Sequence, residues 1–270
     1  MVDEIRLAPI TINDVTVKPK SKLHHRKLEA LRVFMDRLGQ SPAWERVAKA
    51  YLFGSVLDGD VEEESDVDLL IFGTEAVAGL QEACSDLSFD TMLETGEKVE
   101  ALVYPLSDFY EPDSYFVFQT LREAREVYSM SEKALVSKAM ENYYLLAKEY
   151  LESAKESRKG ERLRLAIDGA YNAAELCAKA FLLGKVEKMP SKHGSVIRLF
   201  SDLYIKTDVF PLRVGRQLNR TFDWRNKARY EYEVEITAQM VEDTISLAQE
   251  MLGLLKDHMA QEQADETGEK

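Results

Sequence analysis

The first half of the chain mixes short apolar runs with amphipathic stretches. Residues 1–20 alternate apolar and polar positions, which predicts extended backbone. Residues 22–38 repeat apolar side chains at helical spacing, and Gly39 predicts the end of that helix. Residues 76–87 predict a second helix. Three apolar runs predict strands, at residues 47–53, 67–72 and 98–104.

After Tyr128 the pattern changes to long helical periodicity with few Gly or Pro. Five helices are predicted: 131–156, 163–183, one opening at Ser191 as its N-cap, 211–228 and 237–259. The sequence therefore predicts an α+β domain followed by an all-α helical bundle. The expected segments are an extended segment 1–24, the α+β domain 25–130, the bundle 131–259 and a disordered acidic tail 260–270.

Composition indicates a folded protein without membrane segments. Hydrophobic residues make up 45% of the 270 positions, and no apolar run approaches 18 residues, so no membrane-spanning helix is expected. The N-terminus lacks the basic and then apolar layout of a signal peptide. Cys84 and Cys177 show no metal-ligand spacing and are expected to be small apolar side chains in a reduced, cytoplasmic protein.

Charge is distributed unevenly along the chain. Residues 1–130 hold 13 Lys and Arg against 25 Asp and Glu, a net charge of −12 of the total −13. Nonspecific binding of nucleic acid by the whole chain is therefore not expected. A local basic series leaves nucleic-acid or phosphate binding open, with pairing to acidic groups as the alternative: Arg213, Arg216, Arg220, Arg225, Lys227 and Arg229.

Histidines offer few candidates for chemistry. His24, His25 and His258 have no partner in the sequence and are expected at the surface. His193 is expected to form a hydrogen bond at the start of a helix.

The strongest chemical signal lies between residues 51 and 71. Gly54 and Ser55 follow a predicted strand, where a glycine lets the backbone approach a phosphate closely. Asp66 and Asp68 are two apart at the start of the next strand, so their carboxylates leave the same face. Two such carboxylates repel one another unless a divalent cation binds them, which predicts a Mg2+ or Mn2+ site. Glu100 is the only acid within the third strand and is the candidate third ligand and proton acceptor.

An acidic loop with two aspartates is often only a solvated turn. Here the pair stands directly before Leu69-Leu70-Ile71, where unpaired carboxylates are costly to bury. That position favours a functional site.

Residues 51–71 resemble the signature of minimal nucleotidyltransferases of the polymerase-beta-like superfamily, a Gly-Ser followed by Asp-x-Asp in a strand. The resemblance extends over about residues 25–128 and implies a domain with a mixed sheet. It implies that Gly54, Ser55 and Ser65 bind ATP or another nucleoside triphosphate. Asp66 and Asp68 would be metal ligands, and the third acid falls on Glu100, where the family more often has Asp.

Residues 131–258 resemble a HEPN domain, through the stretches 171–181, 191–194 and 224–232. Active HEPN ribonucleases carry an arginine followed four to six residues later by a histidine. Arg225 and Asn226 are present, but the histidine is missing, so no metal-independent ribonuclease activity is expected.

Three functions are compatible with this layout. In two-gene relatives, the transferase adenylylates a tyrosine beside the HEPN motif in a toxin–antitoxin pair, and Tyr230 and Tyr232 lie at the corresponding place. The protein acceptor would then be a HEPN chain, and a homodimer is expected. Kanamycin nucleotidyltransferase has a similar layout, which implies a small-molecule acceptor instead. The third function is a catalytically silent, nucleotide-sensing dimer.

Overall fold

A small hairpin precedes the main sheet. Its strands, β1 (Ile10–Ile12) and β2 (Val15–Val17), pair antiparallel around Asn13, which has a φ of +50°. This hairpin lies within the segment predicted to be extended, of which residues 1–6 are outside the described residues. The structure is a computed structural model that describes residues 7–75, 77–186 and 188–267. The chain divides into two units, Met1–Leu135 and Val136–Lys270, which are described separately.

A mixed four-stranded sheet forms the centre of the first unit. Its strands are β3 (Val47–Phe53), β4 (Val67–Gly73), β5 (Val99–Pro105) and β6 (Arg125–Ser129). The spatial order is β5-β4-β3-β6; β4 and β5 run parallel, and the other neighbouring pairs are antiparallel. The mixed sheet predicted for this domain is therefore confirmed.

Helices cover one face of this sheet. The first three helices of the unit are α1 (Lys22–Gln40), α2 (Ser55–Asp58) and α3 (Val77–Thr95). The apolar faces of α1 and α3 pack on the inward side chains of the strands, as the helical and strand periodicities require. This core includes Leu28, Leu31, Phe34, Leu38, Leu52, Leu69, Ile71, Cys84 and Val99.

The opposite face carries aromatic side chains and two short helices. They are α4 (Leu106–Tyr110), which lies against β4 and β5, and α5 (Tyr115–Glu123), which lies against β3. Tyr51 and Phe72 alternate with the core residues of their strands, and both pack against Phe109 of α4. The predicted site lies on this same face of the sheet.

Several predicted boundaries in this unit were wrong. Helix α1 continues through Gly39 and ends before Pro42, where the Ser41 amide and hydroxyl both donate to the Leu38 carbonyl. Helix α3 continues beyond residue 87 to Thr95, before Gly96 with a φ of +74°. Strand β6 and helices α4 and α5 were not predicted.

Five helices make up most of the second unit, as predicted. They are α6 (Glu132–Lys159), which begins in the first unit, α7 (Leu163–Leu182), α8 (His193–Phe200), α9 (Leu212–Tyr230) and α10 (Ala238–Thr267). A π-type turn, Ser201–Ile205, continues α8. The central helix α7 is in contact with α8, α9 and α10. On another side, a Cβ at Gly169 of α7 would lie 3.4 Å from the Tyr150 carbonyl of α6, so the missing side chain allows these helices to approach closely.

Two predictions for this unit are corrected. Lys192, not Ser191, is the N-cap residue of α8, and no side-chain cap bond forms there. Helix α10 continues to Thr267, so residues 260–267 are helical rather than disordered, and 268–270 lie outside the described residues. Residues 260–267 extend a helix whose earlier turns are anchored by buried side chains such as Met251 and Leu255, so they need little packing of their own.

In the described part of the chain, none of the helices combines the length and the apolar character needed to cross a bilayer. Both cysteines are free and buried, and burial raises the pKa of the Cys84 thiol to about 12. Their expected role as small apolar side chains fits this burial.

Candidate functional site

Gly54 brings the backbone at the end of β3 against a carboxylate. It has a φ of +73° and a ψ of −159°, a conformation open essentially only to glycine. A Cβ on this residue would lie 2.4 Å from Oδ2 of Asp68. The short helix α2 begins at the next residue, Ser55, whose carbonyl accepts a hydrogen bond from the Gly59 amide at 2.8 Å. The sequence Gly-Ser therefore forms a tight turn directly over Asp68.

The three predicted carboxylates line up across two neighbouring strands. Asp68 is paired in register with Phe53 on one side and with Glu100 on the other. Asp66 lies two residues before Asp68, so its side chain leaves the same face, while Val67 between them is buried in the core. The structure thus places Asp66, Asp68 and Glu100 at neighbouring backbone positions on one face, with Asp68 beside Gly54.

These acids create an unfavourable local charge. Partial burial raises the pKa of Asp68 above its ordinary value, and the negative charges of Glu100 and Asp66 raise it further. Lys98 acts in the opposite direction: its ammonium forms an ion pair with Asp66 and lies 3.9 Å from Oε1 of Glu100. The hydrogen bond to Asp66 in turn raises the pKa of Lys98.

The donor set fits a divalent cation. Its ligand atoms would be the hard carboxylate oxygens that Mg2+ and Mn2+ prefer, on a face where repulsion favours a bound cation. As the side chains stand, no three His, Cys, Asp or Glu residues in the described ranges are grouped closely enough to hold an ion. One Asp66 oxygen, Oδ2, is paired with the Lys98 ammonium, which competes with a cation for that oxygen.

Helix α1 fixes the loop that leads into the carboxylates. The Lys27 ammonium is buried, pairs with Glu97 at 2.7 Å and donates to the Ser65 carbonyl at 2.6 Å. The Ser65 hydroxyl accepts a hydrogen bond from the Glu62 amide at 3.0 Å, so this predicted nucleotide ligand is used in closing the loop.

His24 is buried, so its predicted surface position was wrong. Its Nδ1 accepts from the Lys20 amide at 3.0 Å, which leaves Nε2 to donate to the Val56 carbonyl of α2 at 2.8 Å. Burial lowers the pKa of His24. The side chain therefore anchors the helix that follows Gly54.

In the second unit, Arg225 is a buried structural residue. Its Nε donates to Asp168 at 2.9 Å, its Nη1 donates to the Asn226 side chain at 3.2 Å, and the guanidinium lies 5.7 Å from the Tyr171 ring centre. Only 4% of the Arg225 side chain is exposed. The predicted HEPN residues Arg225 and Asn226 therefore lie together, with little access for a substrate to the guanidinium.

The two tyrosines after this motif are exposed on an ordered segment. Tyr230 is 73% exposed and Tyr232 is 94% exposed. The guanidinium of Arg164 on α7 holds the backbone on both sides of them. It donates to the carbonyl oxygens of Lys227, Ala228, Glu231, Tyr232 and Val234.

Several members of the basic series have partners within the second unit. Arg213 forms a two-pronged ion pair with Glu250, the Arg220 guanidinium lies 5.9 Å from the Trp224 ring, and Arg229 is 3.9 Å from Asp168. His193 pairs through Nδ1 with the buried carboxylate of Glu175 at 2.6 Å, close to the predicted hydrogen-bonding role at a helix start.

Sequence reasoning missed three residues that shape these sites: Lys27, Lys98 and Arg164. Lys98 had a usable signal, since it stands two residues before Glu100 on the same strand face. Lys27 and Arg164 had none, because their partners lie between 36 and 70 residues away along the chain.

Comparisons with known proteins agree with this two-part layout. The family model for polymerase beta nucleotidyltransferases matches residues 42–133, and the HEPN domain model matches residues 140–258. The chain is 30% identical over 123 residues to "Putative toxin MJ0142" of Methanocaldococcus jannaschii, which is 45% of this chain and 74% of the relative. It is 32% identical over 127 residues to a UPF0332 protein of Thermotoga maritima, which is 47% of this chain and 93% of the relative.

Among solved structures, the spectinomycin adenyltransferase AAD(9) of Enterococcus faecialis, solved with ATP and spectinomycin, aligns over 85% of this chain and 99% of its own. The identity is 11% and the TM-score is 0.28, too low to support an argument. The two family matches, at residues 42–133 and 140–258, carry the two-domain assignment. The chain therefore belongs to the proteins that join a polymerase beta nucleotidyltransferase domain to a HEPN domain.

Proposed function

We propose that the first unit transfers a nucleoside monophosphate, AMP from ATP, to an acceptor hydroxyl. The observation that carries the proposal is the position of the Asp68 carboxylate directly beneath Gly54, with Asp66 and Glu100 beside it. A phosphate held by the Gly54–Ser55 turn would lie next to carboxylates that can hold a cation. The nucleotidyltransferase family match supports the same reaction class.

Each residue has a distinct role in this reaction. The backbone at Gly54 and Ser55 would bind the triphosphate, and Asp66 and Asp68 would hold Mg2+ or Mn2+. When bound, the cation neutralises phosphate charge that grows during transfer. The acceptor oxygen forms a bond to the α-phosphorus, the bond from that phosphorus to the β-phosphate bridging oxygen breaks, and pyrophosphate leaves. Glu100 would accept the proton of the attacking hydroxyl.

The test removes the carboxylate charges while keeping their shape. Asp66→Asn with Asp68→Asn should abolish Mg2+-dependent ATP binding measured by calorimetry. The matched control is Asp86→Asn with Asp90→Asn, which makes the same charge change on the exposed side of α3. Unchanged ATP affinity in the site variant would refute the assignment.

We propose a protein tyrosine as the acceptor, with Tyr230 and Tyr232 as the candidates. Both hydroxyl-bearing side chains are exposed, and Arg164 fixes the backbone that carries them. The relative named as a toxin supports a toxin–antitoxin setting. In that setting, modification of a tyrosine would regulate the HEPN half.

Intact-mass measurement after incubation with ATP and Mg2+ tests this acceptor. The chain should gain the mass of one AMP, and the gain should disappear when both tyrosines are changed to Phe. ATP turnover on a small molecule with no change in protein mass would contradict the tyrosine and indicate a small-molecule acceptor.

A further inference from the structure

Three aromatic rings gather beside the carboxylates. The Phe116 ring of α5 lies 5.9 Å from the Phe53 ring, edge to face, and 6.4 Å from the Tyr104 ring. Both distances are within the range of favourable aromatic pairs. Phe53 and Tyr104 stand on two different strands, β3 and β5, so Phe116 spans the sheet between them.

The position of this cluster relates it to the proposed site. Phe53 immediately precedes Gly54 and is paired in register with Asp68. Tyr104 lies four residues after Glu100 on β5, which places the two side chains on the same face. The aromatic cluster therefore lies directly beside the phosphate-binding turn and the carboxylates.

Phe116 of α5 is far more exposed than the strand rings Phe72 and Tyr51 on this face. Phe72 is fully buried and Tyr51 is 8% exposed, so they belong to the packed interior. Phe116 remains 42% exposed although two rings hold it in place. An exposed ring that is already immobilised loses little conformational freedom when a second planar group stacks on it.

We propose that Phe116, supported by Phe53 and Tyr104, is the stacking surface for the base of the bound nucleoside triphosphate. This inference rests on the proposed function and adds the base subsite to it. A nucleotide has its triphosphate at one end and its base at the other. The triphosphate would lie at the Gly54 turn and the base on the Phe116 ring. Stacking depends on ring area, so purine triphosphates should bind more tightly than pyrimidine triphosphates.

The test compares ATP with inorganic tripolyphosphate, which has the charge but no base. Binding of each to the full chain is measured by calorimetry with Mg2+. Phe116→Ala should weaken ATP binding by at least about fivefold and leave tripolyphosphate binding unchanged. Phe116→Trp, which keeps a stacking face, should retain ATP binding.

Phe118→Ala is the matched control, because Phe118 is 39% exposed on the same helix and lies against Arg122. It should bind both ligands as the wild type does. Unchanged ATP affinity in Phe116→Ala would overturn the base subsite, and so would equal losses for ATP and tripolyphosphate. Failure of the wild-type chain to bind either ligand would instead refute the proposed function, and this inference with it.

Discussion

Lys98 lies among the carboxylates of the site and offsets part of their mutual repulsion. Its ammonium is paired with Asp66 and stands 3.9 Å from Glu100, while the Asp68 carboxyl remains destabilised in its charged form. A lysine here competes with a cation for the same oxygens, since both are bound through positive charge. We therefore expect Lys98 to lower the cation affinity of the proposed metal site.

Replacing this lysine should strengthen cation binding. Lys98→Met keeps the length of the side chain and removes its charge, so Mn2+ should bind about three- to tenfold more tightly at low salt and without nucleotide. Calorimetric titration with Mn2+ measures the change. Lys18→Met, at an exposed position after β2, makes the same charge change and should leave the affinity at the wild-type value. An unchanged affinity in Lys98→Met would show that Lys98 does not compete with the ion.

At the scale of elements, helix α1 holds the site together from behind the sheet. His24 anchors α2 through the Val56 carbonyl, and Lys27 ties the loop at Ser65 to Glu97 just before β5. One helix face thus fixes both the turn at Gly54 and the segments that carry the acids.

Loss of the Lys27 charge should destabilise the chain strongly, because Glu97 would keep its buried charge with less compensation. Lys27→Met should lower the free energy of unfolding by about 3 to 5 kcal/mol. Lys27→Met combined with Glu97→Gln should recover part of that loss. Urea denaturation followed by circular dichroism measures both variants. Equal stability of the single variant and the wild type would contradict a structural role for this pair.

Elements with strong periodicity were predictable, and those stabilised by distant contacts were not. Strands β3 and β4 are almost continuously buried, and their apolar runs predicted them. Strand β6 has one fully buried side chain, Val127, so pairing with β3 rather than its own sequence makes it a strand. The carboxylate row was predictable from spacing, whereas its neighbour Phe116 comes from α5, a helix that the sequence pattern did not reveal.

At the scale of the whole molecule, two units with separate cores carry very different charge. Residues 1–130 have a net charge of −12 (13 basic, 25 acidic), which favours cations and disfavours polyanions without a bound metal. In the second unit, the arginine of the HEPN motif, Arg225, forms an ion pair with Asp168 and lies against the Tyr171 ring. Both features argue against a ribonuclease that works without a metal.

The purified chain should therefore leave RNA intact in the presence of EDTA. The residues that follow Arg225 up to Tyr232 include no histidine to exchange protons near neutral pH. Gel analysis of a labelled RNA after long incubation is the measurement. Cleavage of the RNA in EDTA that copurifies with the folded chain would contradict this expectation.

A substitution at Gly54 would change the shape of the site without changing its charge. Every aspartate substitution alters the electrostatic field that attracts cations, so loss of binding in such a variant has two explanations. A methyl group at position 54 would instead claim the space of one Asp68 oxygen, 2.4 Å away, and leave all 48 acidic residues in place. The Gly54→Ala chain would thus be an isoelectric reference, in which any remaining attraction of cations comes from the field of the unit and not from an assembled pocket.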